Sequence, residues 1–129
     1  MKIARSFVLA GSCYLVVGVV LGMYMGGSGD HAPAAAHAHI NLLGFTLMTL
    51  FGLVYAQFPQ MAANRMANLH FWLHLAGSLV LLVMLLMLTT GRIQEASMAP
   101  LAPIAELLIL LGVLAFLWNA YRNLNTRTG

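Results

Sequence analysis

Between His37 and Pro59 the chain reads HAHINLLGFTLMTLFGLVYAQFP, a mostly apolar run with two histidines at its head, no charged residue and a closing proline. About 20 apolar residues at about 1.5 Å each is the length a helix needs to cross the hydrocarbon core of a bilayer. A histidine carried into such a helix is costly unless the protein uses it, so His37 and His39 are candidate functional residues from the outset.

Three further apolar runs flank this one. Of the 129 residues, 61% are hydrophobic and 7% charged, against about 25% charged in a soluble domain. Mean hydropathy is +0.88. The expectation is an all-α, integral membrane four-helix bundle forming one domain over residues 1–129, with helices at about 5–26, 37–58, 66–90 and 99–122. The opening MKIARS and its apolar sequel have the outline of a signal peptide, but the run continues past Cys13 to Leu21 and reads as a retained span. Gly11, Gly18 and Gly22 permit close helix approach on one side of it. Gly26 to Gly29 and Pro33 form the first loop, and Pro100 or Pro103 suits the first turn of the last helix.

Lys2, Arg5, Arg65, Arg122 and Arg127 fall on one side of this arrangement and only Arg92 on the other. The positive-inside bias places both termini in the cytoplasm of a bacterial-type inner membrane and His31, His37 and His39 at the outer face. Trp72, Trp118 and Tyr121 fall near helix ends, where interfacial aromatics sit. The six basic residues are scattered singly, which excludes a nucleic-acid interface, and the single cysteine excludes an intrachain disulfide.

The five histidines divide by depth. His70 and His74, spaced i, i+4 in HFWLH, share one face of the third helix, with His74 roughly 12 Å into it. His37 and His74 are then about 15 Å apart along the membrane normal, too far for one metal ion with bonds of about 2 Å. Two candidate sites result. At the outer one, the face through His37 continues with Asn41, Gly44, Met48, Gly52 and Tyr55 and suits the bundle interior. The face through His39 continues with Leu42, Leu43, Thr46, Leu50 and Leu53 and suits lipid or a partner subunit. That pattern favours His37 as the inward ligand. Glu106, one of three acidic residues, enters the outer half of the fourth helix and needs a partner there. His31, His37, His39 and Glu106 are thus candidate ligands for copper or another transition metal, with methionines as soft additions. Glu106 also reads as a protonated structural group. At the inner site, His70 and His74 can chelate a metal or serve a heme; they also read as solvated interfacial histidines.

The stretch HAHINLLGF…LFGLVYAQFP resembles the second transmembrane helix of subunit I of the heme–copper oxidases, where a histidine at the outer end ligates the low-spin heme. Most of the chain is similar to short four-helix membrane proteins assigned to that superfamily, in which Gly29-Asp30-His31 precedes His37-Ala38-His39. The resemblance implies a b-type heme held by His37 or His39, and electron transfer or gas-ligand binding as the role. An oxidase subunit I has about twelve helices, and the later ones, with the copper and high-spin heme ligands, have no counterpart here, so oxygen reduction is not expected of this chain. The missing axial ligand then comes from His31, a methionine, or a second copy in a homodimer. The implied partners are the lipid bilayer, a second copy of the chain, and a redox partner or quinone. An accessory membrane subunit without chemistry of its own is the remaining reading.

Overall fold

The computed structural model describes residues 2–124; Arg127, one of the basic residues used to orient the chain, lies outside them. The chain is all-helical, 87% helix without strands among the described residues. Four helices are long and apolar enough to cross a membrane: α1 (Lys2–Ser28), α2 (Ala34–Gln57), α3 (Arg65–Thr89) and α4 (Leu101–Asn123). These bounds fall within about three residues of those expected from hydropathy. Two short elements join them, a single helical turn at Pro59–Ala62 and a 3-10 turn at Glu95–Met98. Pro33 and Pro100 are the residues immediately preceding α2 and α4.

Helix α1 buries Phe7, Gly11, Tyr14, Gly18 and Met25, a stripe spaced by four, three, four and seven residues that keeps one face toward its neighbours. That face packs antiparallel on α2. A Cβ at Gly52 would stand 2.7 Å from Val8 Cγ2, one at Gly11 2.8 Å from Thr49 Oγ1, and one at Gly18 would collide with the Asn41 amide. The small residues anticipated on α1 therefore let two backbones meet in a close seam. Helices α3 and α4 form the second antiparallel pair. Gly77 lies under Ala105 and Ile109, and Gly112 under His70 and His74. Ala102, Ala105 and Ala115 are buried on α4.

Helix α2 is not a uniform α-helix. Residues Ile40–Thr46 form a π-helical segment. The buried positions before, within and after it are Ala36, Ile40, Gly44, Met48 and Gly52, a constant spacing of four. In a regular helix of 3.6 residues per turn such a stripe drifts by about 40° at each step. The wider π turn winds back that drift and holds one face toward the bundle. The inward face expected through His37 is in this sense observed: Gly44, Met48, Gly52 and Tyr55 are buried, while Leu42, Leu50 and Leu53 are exposed.

At the end of the bundle shared by Lys2 and Arg65, amides tie the α2–α3 connection to α4. Asn64 Oδ1 caps α3 by accepting from the backbone N–H of Met66 and Ala67, and its Nδ2 donates to Asn119 Oδ1 at 2.6 Å. Asn119 Nδ2 donates to the Met61 carbonyl at 3.0 Å. Such a buried amide needs all its partners, and here the short turn Pro59–Ala62 supplies one.

Candidate functional site

The outer histidines occupy three different environments. In the loop after α1, Asp30 accepts from the Tyr24 hydroxyl and from the backbone N–H of Ala32, closing a tight turn in which the exposed His31 lies with Nδ1 2.9 Å from the Gly29 carbonyl. His37 is half-buried in the α1–α2 seam, where the lack of a side chain at Gly22 makes room for its ring: a Cβ there would stand 3.1 Å from His37 Cε1. Asn41 Nδ2 lies 3.4 and 3.3 Å from the two ring nitrogens of His37, nearly equidistant and so along neither lone pair. The same amide donates a better bond, at 3.0 Å, to the His37 carbonyl.

His39 is exposed on the apolar face of α2. Its Nδ1 lies 2.8 Å from the carbonyl of Ala35, one turn earlier. A carbonyl can only accept, so this bond puts the ring proton on Nδ1 and leaves Nε2 as the lone-pair nitrogen, directed away from the helix. Glu106 is exposed on α4, which packs chiefly on α3 rather than on the start of α2. No group of three or more histidine, cysteine, aspartate or glutamate side chains gathers to hold a metal among the described residues.

The inner histidines are not solvated. His70 and His74 are both 0% exposed, in the middle of the bundle rather than at its interface. The reading of solvated interfacial histidines therefore fails, because α3 begins at Arg65 and turns its His face onto α2 and α4 instead of outward. Phe51 stands edge-on to both rings, at 4.4 Å from His70 and 5.5 Å from His74 between centroids. Phe7 and Phe116 close on His70 at 4.9 and 5.3 Å. His70 Nδ1 is 3.1 Å from the Tyr55 hydroxyl, and His74 Nε2 donates to the Leu43 carbonyl at 3.1 Å. Leu43 belongs to the π segment, whose wider turn redistributes the backbone bonds of α2 and presents this carbonyl to α3. His70 Nε2 and His74 Nδ1 are buried without a hydrogen-bond partner.

The bond to Leu43 also revises the depth estimate. Leu43 follows His37 by six residues, about 9 Å along the helix axis. The two candidate sites are closer than the 15 Å expected from helix lengths, because His74 is the tenth residue of α3 and α2 begins before His37. They remain too far apart to share one ion. Sequence pattern reached the His70–His74 pair through its spacing, but the aromatic enclosure and the Leu43 carbonyl follow from packing and from the π segment, which no motif announced. Ser78, on the His70–His74 face of α3, is bonded to Tyr14 of α1 at 2.9 Å, a link that no sequence spacing indicates. Comparison with protein-family models, curated proteins and solved structures finds no match to this chain.

Proposed function

We propose that the protein is a multi-pass membrane protein of a bacterial-type inner membrane, with both termini cytoplasmic, that binds a b-type heme at its outer end through His39. The observation that carries this reading is the His39 ring: its Nδ1 is fixed by the Ala35 carbonyl, which leaves Nε2 free on an exposed apolar face. A ligating histidine characteristically gives its second nitrogen to a carbonyl in this way, setting the tautomer and raising ligand basicity. His37, favoured by its inward position, instead has its ring wedged against Gly22 and under the Asn41 amide. The scattered arrangement of the outer ligands suits a macrocycle better than a bare ion. A porphyrin brings four equatorial donors and asks the protein for one or two axial ligands, whereas a bare ion asks for several side chains together.

A second copy of the chain supplies the other axial ligand from its own His39. Leu42, Leu50 and Leu53, all exposed on the His39 side of α2, form the apolar surface along which two copies pack. The heme, when bound, would supply one-electron transfer, since two histidines leave no open position for a gas. The chain's own residues orient the imidazole and wall off the macrocycle.

The test is an absorption spectrum of detergent-purified protein, oxidised and dithionite-reduced, from cells supplied with heme. Sharp reduced α and β bands at one heme per two chains, lost in His39→Ala and kept in His74→Ala, are expected. A flat visible spectrum, or a spectrum unchanged in His39→Ala, refutes the assignment.

A further inference from the structure

The inner pair does not belong to that outer site, and its geometry has a different chemistry. Each ring spends one nitrogen on a fixed partner and keeps the other buried and unpartnered. His74 Nε2 donates to the Leu43 carbonyl, so its unpartnered Nδ1 carries the lone pair of a neutral ring. His70 Nδ1 is bonded to the Tyr55 hydroxyl, and with the proton on Nδ1 the unpartnered Nε2 likewise presents a lone pair. Two lone pairs inside a dry aromatic shell are a cost without a ligand. Two imidazoles at i, i+4, each anchored through its second nitrogen, are the arrangement by which helices hold metal ions.

We propose that His70 Nε2 and His74 Nδ1 together bind one Cu(I) ion inside the bundle. With metal–nitrogen bonds of about 2.0 Å and ring nitrogens about 1.1 Å from their centroids, two imidazoles on one ion stand at most about 6.2 Å apart, centroid to centroid. His70 and His74 stand at 5.8 Å, inside that limit. Zinc takes four ligands and hard divalent ions take six or more oxygens. Cu(I) alone among the common ions is content with two imidazoles, and a soft ion suits a pocket of Phe7, Phe51 and Phe116 that lacks carboxylates. Both rings bind as neutral donors, so no proton leaves on binding.

The experiment is metal analysis of full-length protein purified in detergent from copper-supplemented cells, with His70→Ala, His74→Ala and His37→Ala variants alongside. About one copper per chain is expected in the wild type and in His37→Ala, with at least a tenfold loss in His70→Ala and His74→Ala. Copper-free wild-type protein, or copper retained in both inner variants, overturns the proposal. Should the inner variants fail to fold, X-ray absorption on the wild type decides. An edge characteristic of Cu(I) with imidazole scattering from two nitrogens at about 2.0 Å supports the site, and a shell without imidazole refutes it. Heme content is read separately by absorbance, so loss of either site is distinguishable from loss of the other.

Discussion

Replacing Gly44 with alanine places a methyl group where α1 already stands. The new Cβ would lie 2.7 Å from Tyr14 Cδ1 and 2.8 Å from Tyr14 Cβ, and would collide with Cγ between them. Carbon atoms pack comfortably at about 3.5–4.0 Å, so the two helices must part locally by about 0.7–1 Å. A rotamer change cannot relieve the contact, since Tyr14 Cβ is fixed to its own backbone. Overpacking of this kind costs about 1–3 kcal/mol. Moving Tyr14 also strains its bond to Ser78 across the bundle, worth about 0.6 kcal/mol for an interhelical bond in a membrane protein. The expected cost is about 2–3 kcal/mol, roughly a 30- to 150-fold shift in the unfolding equilibrium. Reversible unfolding in mixed micelles with increasing dodecyl sulfate, followed by circular dichroism, measures it. In a Tyr14→Ala background, which removes Cγ and Cδ1 but keeps Cβ, the penalty for Gly44→Ala should fall by at least about 1 kcal/mol. A penalty that stays the same in both backgrounds, or a Gly44→Ala variant within about 0.5 kcal/mol of wild type, refutes the close α1–α2 seam.

Asn64→Ala should lower stability by about 1–2 kcal/mol, because it removes both the cap of α3 and the bond to Asn119; Asn64→Asp, which keeps the cap but not the donor, should recover part of that loss in the same unfolding assay. Tyr55→Phe leaves His70 Nδ1 buried without its partner, for an expected loss of about 1–3 kcal/mol, while Tyr121→Phe on the exposed face of α4 should leave the melting temperature unchanged. Cys13 is exposed on α1 at mid-span. In intact membranes it should react with a lipid-soluble maleimide and resist a membrane-impermeant one until detergent is added; prompt labelling by the impermeant reagent removes α1 from the bilayer.

Much of the scaffold is written in runs of apolar residues long enough to cross hydrocarbon. Their ends are set by prolines, glycines and an asparagine cap, local signals that act within a turn or two of themselves. The sequence by itself therefore determined four helices, their antiparallel order, the small-residue side of α1 and the inward face of α2. It also marked His70 and His74 as neighbours, since a spacing of four puts two side chains on one face whatever surrounds them. Tertiary structure decided what surrounds the inner histidines. A wide turn at Ile40–Thr46, which keeps a four-residue stripe facing inward, brings the Leu43 carbonyl to His74. Packing of Phe7, Phe51 and Phe116 from three other helices makes the inner pair dry. His37 and His39, two residues apart in a motif that treats them alike, end in opposite circumstances, one wedged against Gly22 and the other exposed with a fixed tautomer. The physical reason is range: helix formation, and the bond that orients His39, answer to neighbours within four residues, whereas the hydrogen bonds of His70 and His74 answer to residues 15 and 31 positions away.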